Sequence, residues 1–203
     1  MRIFCIGRNY AEHAAELNNP LPESPVVFMK PESALLAPGE PFVHPRFSEK
    51  VHYEVEIVLR IGTKGKEIAG SDVMRHIDGI AVGIDFTARD IQDNCKRNGY
   101  PWELAKSFDG SAALSDFHAM EKFGELSGVR FGLKQNGKLV QDGNTGLLLF
   151  RPEYLIAYIS QFFALFAGDI LFTGTPAGVG SVRPGDRLEA FIGDQILLTC
   201  DIK

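Results

Sequence analysis

The chain is poor in the features that most readily betray a function. It holds three cysteines in 203 residues, Cys5, Cys95 and Cys200, far apart and without a CxxC pair. An odd, scattered set argues against a disulfide framework or a thiolate zinc centre and fits a reducing compartment. Buried thiols acting as small hydrophobes are the plain expectation for all three. No apolar run approaches the ~20 residues needed to span a bilayer, so no membrane association is expected. Lysine and arginine total 21 against 26 aspartates and glutamates, and no basic block stands out. That balance argues against a nucleic-acid partner. The opening MRIFCIGRNYAEH lacks a charged leader, a long apolar stretch and a small-residue cleavage site. A cytoplasmic rather than a secreted protein is therefore expected. The motifs GxSxG, HExxH and GxxxxGK(S/T) are absent. The glycine-rich TGTPAGVG at 173–180 has no lysine and runs into SVRPGDRL, a turn and a strand instead of a helix N-terminus. Backbone brought close to a ligand explains it better than phosphate binding does.

What is present describes an ordinary globular domain. Apolar residues make up 45% of the chain and charged residues 23%, enough for one substantial core and a single domain over 1–203. The opening IFCIG is a short strand leading into a helix over roughly Asn9 to Leu17. The prolines of NNPLPESP (18–25) then force a loop before the extended VVFMK. HPRFSEK is a loop before the strand VHYEVEIVLRIG (51–62). Ser71 is placed to cap SDVMRHI, and IAVGIDF (80–86) reads as a buried strand. A helix over TARDIQDNCKRNG has Thr87 as its cap and Gly99 as its left-handed stop. VRFGLKQNGKLVQDG predicts a hairpin about a type I′ Asn136-Gly137 turn, and PEYLIAYISQFFAL a helix with Pro152 at its first position. DILFTG, RLEAFI and ILLTCDI close the chain as strands, with turns at Pro184-Gly185-Asp186 and Gly193-Asp194. Many short strands with a few helices, and no regular βαβ alternation, predict an α+β fold.

Chemistry gathers at a few places. Glu54 and Glu56, at i and i+2 of a strand, project from the same face, while Tyr53, Val55 and Ile57 face the other way. On pattern alone this is equally a solvated strand face; a buried one would need a cation. Asp85, at the end of IAVGID, offers a third carboxylate, or a turn residue. Three carboxylates without histidine or thiolate suit a hard cation, Mg2+ or Mn2+, which accept the same ligands. His13 and Glu16 share a helix face, as a general base with its orienter or as a surface pair. Lys106 lies among apolar residues in PWELAKSFDG; a surface lysine is the default, and one near a metal would stabilise developing negative charge. Arg8, Arg89 and Gln92 are further polar candidates.

Six motifs in order, GRNYAEH (7–13), FMKP (28–31), HYEVEI (52–57), IDFTARDIQ (84–92), PWELAKSFD (101–109) and LFTGTPAGVG (171–180), span nearly the whole chain. Together the sequence resembles the fumarylacetoacetate hydrolase family, and within it the short branch of acylpyruvate hydrolases and oxaloacetate decarboxylases. The resemblance implies a mixed β-roll, a homodimer and a bound Mg2+ or Mn2+. It assigns Glu54, Glu56 and Asp85 to the metal, and Gln92, Lys106 and Thr175 to the substrate, with Arg8 beside them. His13-Ala14-Ala15-Glu16 matches the His-x-x-Glu dyad of a lid, here about residues 8–25. One departure is Ala113, where relatives often have proline; it removes no chemical group.

The activity this implies is metal-dependent cleavage of a C–C bond in acylpyruvates such as acetylpyruvate or fumarylpyruvate through pyruvate enolate. Decarboxylation of oxaloacetate is expected beside it, and the substrate is a small α-keto acid. The alternatives are isomerisation or tautomerisation of small oxo-diacids, including oxaloacetate. More remote is a non-catalytic, metal-dependent binder of small acids.

Overall fold

Period-two apolar patterning makes most of the framework. In the computed structural model, which describes residues 1–203, the strands are β1 (Ile3–Gly7), β2 (Val26–Lys30), β3 (Val51–Tyr53), β4 (Val55–Ile61), β5 (Ile77–Asp85), β6 (Thr87–Ala88), β7 (Ala112–Leu114), β8 (Arg130–Gln135), β9 (Lys138–Asn144), β10 (Ile170–Phe172), β11 (Gly180–Ser181), β12 (Arg187–Ile192) and β13 (Gln195–Asp201). The α-helices are α1 (Ala11–Glu16), α2 (Arg89–Asn98), α3 (Glu103–Lys106) and α4 (Pro152–Phe162). The α+β expectation holds.

A six-stranded sheet runs β2-β1-β10-β4-β5-β7, and within it only β1 and β10 are parallel. A four-stranded antiparallel sheet, β13-β12-β8-β9, packs on it through β12 and β13 against β5 and β8 against β4. A small sheet, β11-β3-β6, completes the set. Alternation divides the six-stranded sheet into two faces. Phe4 and Ile6 of β1, Val55, Ile57 and Leu59 of β4, and Ile80, Val82 and Ile84 of β5 enter the main core. Ile3, Cys5, Val58, Ala81, Ile170 and Phe172 form a much smaller apolar cluster on the opposite face. Glu54, Glu56 and Asp85 share the parity of that second face, so the carboxylates begin where its apolar cover ends.

Several expectations change in detail. VHYEVEIVLRIG is not one strand: it breaks at Glu54 into β3 and β4, which belong to different sheets. Every residue from Val51 to Leu59 is buried, so the solvated face does not exist. Ser71 caps nothing; the segment Gly70–His76 is a 3-10 helix without a side-chain cap. Thr87 is committed to β6, where it pairs with His52, and α2 begins two residues later without a side-chain cap. Gly99 does end α2, at φ 68°, and Asn136 and Gly137 take φ 53° and 78° as a type I′ turn requires. α1 is shorter than expected, α4 stops at Phe162, and the four-residue α3 is new. The three cysteines are free and buried.

One buried side chain ties the turn after β1 to two distant segments. Asn9 Nδ2 donates to the carbonyls of Phe150 (3.0 Å) and Thr173 (2.8 Å), and its Oδ1 accepts from the Phe150 N–H (2.8 Å). Truncation removes the partner of all three backbone groups, of which the bond to the Thr173 carbonyl is fully buried and the two to Phe150 partly so. Asn9→Ala is expected to lower stability by about 2–4 kcal/mol in urea unfolding. An unchanged midpoint would show that this bridge holds nothing together.

Candidate active site

Three carboxylates meet at the end of the second face. Oxygens of Glu54, Glu56 and Asp85 lie within 4.8 Å of one another, and all three residues are buried. Glu54 occupies the break between β3 and β4, and its carbonyl accepts from the Asp85 N–H at 2.8 Å, fixing the end of β5 beside it. Opposite Glu56 on β5 stands Gly83, where a Cβ would lie 2.6 Å from the Phe172 ring.

Buried like charges need counter-charges, and three cations supply them. Lys106, at the end of α3, donates to Glu54 Oε2 and Asp85 Oδ2, each at 2.7 Å. Arg89, the first residue of α2, pairs with Glu54 Oε1 and donates to Gln92 Oε1 at 2.6 Å. Lys30, the last residue of β2, places Nζ 2.8 Å from Asp85 Oδ1. Its hydrogen bonds go instead to Ser111 Oγ at 3.0 Å and to the Lys106 and Ser111 carbonyls. Asp85 Oδ1 therefore accepts no hydrogen bond although fully buried. Glu56 has no cation of its own; its Oε2 accepts the Gly174 N–H at 2.6 Å. Gly174 holds φ 108°, and a Cβ there would lie 2.7 Å from Asn9 Cβ. The glycine-rich loop thus brings backbone to a carboxylate.

Electrostatics follow this geometry. Burial pushes Glu54 up, but Lys106 and Arg89 outweigh it and hold the group well below the usual carboxylate range. Glu56 is pushed well above that range, first by burial and then by Asp85 and Glu54. Burial alone would discharge Lys106, but Asp85 and Glu54 keep it an ammonium. His52, lowered to about 4 by burial and by Arg89, is neutral, and its Nδ1 accepts from Arg89 Nε at 3.4 Å. Three hard oxygen donors, one of them buried without a donor of its own, suit a Mg2+- or Mn2+-type cation.

His13 and Glu16 meet as their spacing predicts, with Nδ1 3.2 Å from Oε2. Glu16 Oε1 also accepts the Gly178 N–H at 3.1 Å, tying α1 to the glycine-rich loop. Burial lowers the His13 pKa, against the pull of Glu54 and of the Glu16 hydrogen bond. Thr175 Oγ1 accepts from Gln141 Nε2 at 2.8 Å, and Gln141 Oε1 accepts the Val55 N–H at 2.9 Å, between the two glutamates. A cavity of about 360 Å³, counted to its open mouth, is lined by Arg8, His13, Glu54, Glu56, Gln92, Lys106 and Thr175. Of the ten residues singled out from the sequence, Arg89 included, only Asp85, beneath the others, and Glu16, behind His13, do not face it. Lys106 is buried, not a surface lysine. Lys30 and Gln141 carried no sequence-based role. A lysine closing the apolar strand VVFMK was a usable signal for the first; nothing local marks the second.

The order of motifs, the sheet topology and the carboxylate triad all point the same way, and residues 2–202 match the family described as fumarylacetoacetate (FAA) hydrolase C-terminal. The chain belongs to the fumarylacetoacetate hydrolase family. Among its members, oxaloacetate tautomerase FAHD1, mitochondrial, of Rattus norvegicus is 41% identical over 190 residues, covering 94% of this chain and 86% of that protein. The crystal structure of fumarylpyruvate hydrolase from Pseudomonas aeruginosa, in complex with Mn2+ and pyruvate, is 35% identical with a TM-score of 0.93, covering 100% of this chain and 89% of that one. That of 2-hydroxyhepta-2,4-diene-1,7-dioate isomerase from Mycobacterium marinum is 28% identical with a TM-score of 0.86, covering 99% and 73%. This family's C-terminal domain fold is thus the fold of the present chain, and no helix in it is long and apolar enough to cross a membrane.

Glu56 supplies a test of the cation site. Its raised pKa favours the protonated form in the metal-free protein, and a cation bound there would displace that proton. Mn2+ binding at about pH 6 should release up to one proton per ion. Its affinity should climb about tenfold per pH unit until Glu56 ionises unaided. Calorimetry in buffers of different ionisation enthalpy measures both effects. Glu56→Gln should abolish the proton release and weaken binding about 100-fold. Tight, pH-independent binding would remove Glu56 from the ligand set.

Proposed function

We propose that this chain is a Mg2+- or Mn2+-dependent enzyme that enolises small 2-oxo dicarboxylic acids, with keto–enol tautomerisation of oxaloacetate as its principal reaction. The observation that carries the reading is the meeting, in one small cavity, of a carboxylate triad suited to a hard cation and a neutral, buried His13 backed by Glu16. Likeness to oxaloacetate tautomerase over 94% of the chain supports the choice of substrate.

A divalent cation held by Glu54, Glu56 and Asp85 supplies Lewis acidity toward a 2-oxo acid. The rest falls to side chains. Gln92 gives Oε1 to Arg89, which leaves its amide N–H groups to donate to a substrate oxygen. Thr175 Oγ1 accepts from Gln141, which leaves its own O–H to donate to a carboxylate. With Nδ1–H donated to Glu16, His13 keeps the Nε2 lone pair free as a base. Nε2 takes a proton from C3 of the keto form, and the C–H electron pair moves through C2 to the 2-oxo oxygen. Lys106, held charged, favours the resulting enolate electrostatically. Return of the proton from His13 to that oxygen gives the enol, and the reverse sequence gives the ketone.

The same His13–Glu16 pair supports a second reading, C–C hydrolysis of acylpyruvates, favoured by likeness to fumarylpyruvate hydrolase. Nε2 then takes a proton from water, the hydroxide adds to the distal carbonyl, and cleavage leaves a carboxylic acid and pyruvate enolate. Decarboxylation of oxaloacetate reaches that enolate by loss of carbon dioxide. The proposed active unit is a homodimer; exposed Tyr154, Phe162, Phe163 and Phe166, on and just after α4, support self-association.

Metal-stripped protein should not tautomerise oxaloacetate, and Mg2+ or Mn2+ should restore the activity. His13→Gln should keep Mn2+ affinity and lower kcat by about 10²–10⁴-fold. Because burial lowers His13 below its ordinary 6.5, the acid limb of kcat/KM should lie below that pH. Activity falls there as Nε2 becomes protonated, and the limb should vanish in the variant. A wild-type rate for His13→Gln would remove the dyad from the mechanism. Faster pyruvate release from acetylpyruvate than tautomerisation of oxaloacetate would put hydrolysis first.

A further inference from the structure

Five cations surround the cavity and its floor, and they are not equivalent. Lys30, Arg89 and Lys106 each pair with a carboxylate of the triad. Arg8 and Lys96 line the same cavity and form no ion pair at all. Arg8 sits in the turn between β1 and α1 at φ 59°, a left-handed conformation uncommon outside glycine. Its Nε is buried without a hydrogen-bond partner, so the cost of desolvating it is uncompensated within the chain. Lys96 follows Arg89 and Gln92 on the cavity-facing side of α2, at i+7 and i+4. Its pKa is lowered by burial and then by the neighbouring charges of Arg89 and Arg8, which outweigh the opposing pull of Asp93 and Glu54.

Both side chains converge on Trp102, the chain's one tryptophan. The Arg8 guanidinium carbon lies 5.8 Å and the Lys96 Nζ 5.9 Å from its ring centroid. The indole is itself wedged against Gly7, where an added Cβ would meet it at 3.3 Å. A fixed aromatic wall flanked by two unpaired cations, in a cavity that also holds the triad, is built for a second anionic group. We infer that Arg8, Lys96 and Trp102 form a distal-carboxylate subsite, which makes this site selective for 2-oxo dicarboxylates over 2-oxo monocarboxylates. The inference rests on the proposed 2-oxo acid chemistry and deepens it: the triad end takes the 2-oxo acid head, and the Arg8–Lys96 end takes the tail carboxylate. A guanidinium and an ammonium together offer charge-assisted hydrogen bonds that a methyl group cannot use.

The subsite is tested with oxaloacetate and pyruvate as a diacid and monoacid pair. Metal-dependent hydrogen–deuterium exchange at C3 is followed by NMR for each. Arg8→Gln and Lys96→Gln should each raise KM for oxaloacetate about 10–50-fold and change kcat less than about threefold. The diacid-to-monoacid ratio of kcat/KM should fall about tenfold or more, and Arg8→Lys should recover part of it. Trp102 gives a readout independent of turnover. With Mg2+, 3,3-difluoro-oxaloacetate, which has no C3 hydrogen to lose, should change its fluorescence, whereas pyruvate should leave it as it was. Parallel loss of diacid and monoacid turnover, a defect confined to kcat, or equal fluorescence responses to both acids would overturn the subsite alone. Absence of any metal-dependent binding or exchange with either acid in the wild-type protein would overturn the proposed function, and the subsite with it.

Discussion

Confining three carboxylates to one buried pocket is the constraint on which the rest of this molecule depends. At separations near 4.8 Å and an effective dielectric of about 20, each pair of charges repels by about 3 kcal/mol. With all three ionised, three such pairs would approach about 10 kcal/mol, comparable to the whole stability of a typical domain, about 5–15 kcal/mol, which, on top of burial, is why Glu56 is pushed toward its protonated form. The fold answers with Lys30, Arg89 and Lys106, drawn from β2, α2 and α3, each the first or last residue of its element. Apolar residues of similar volume would commonly be as stable or more so. An ionic cluster in their place, with Asp85 Oδ1 left unbonded and Glu56 without a cation, is a feature that folding alone does not require.

The backbone achieves this by interrupting its own regularity. Had β3 and β4 been one strand, Glu54 would have remained an ordinary ladder residue. The break lets β3 join β6 and β11 while β4 stays between β10 and β5, so Glu54 lies at the seam of two sheets. There it meets Arg89 from one side and Lys106 from the other. The loop after β10 closes the remaining side: Gly174 bonds Glu56, Gly178 bonds Glu16, and Thr175 leads through Gln141 to the Val55 N–H. The dyad and the triad therefore share one scaffold, since displacing this loop disturbs both.

What was legible in the sequence was what is local. Period two placed Glu54 and Glu56 on one face, and the parity of Val58 and Ala81 in the smaller cluster agrees. An i,i+3 helical spacing placed His13 beside Glu16, and Asn136-Gly137 and Gly99 set their turns through residues able to adopt positive φ. Burial was not legible, because it is decided by partners far along the chain. Lys106 reaches carboxylates 52 and 21 residues away, from α3, a helix of four residues and too short to show a period. The caps at Ser71 and Thr87 failed for a related reason: a side chain suited to capping has no voice where sheet pairing or a 3-10 turn already claims its backbone. The six ordered motifs carried the family where single-residue patterns left the alternatives open.

Charge counting connects the cluster to the proposed substrate. Three ionised carboxylates and the three cations paired with them cancel, so the positive charge left uncancelled is that of a divalent cation at one end of the cavity and of Arg8 and Lys96 at the other. A 2-oxo dicarboxylate brings two negative charges, one at each end. A neutral acyl tail would satisfy only the inner part of the cavity and leave Arg8 and Lys96 facing apolar atoms. The wall there offers chiefly Trp102 and Leu17 as apolar surface among many polar groups, too little to reward a hydrophobic chain. The placement of charge and the cavity lining therefore favour the same short diacid. The dyad suits more than one fate for such an enolate, and what separates them is whether water can reach His13 Nε2, the free nitrogen of a ring that Glu16 holds while bonded in turn to Gly178.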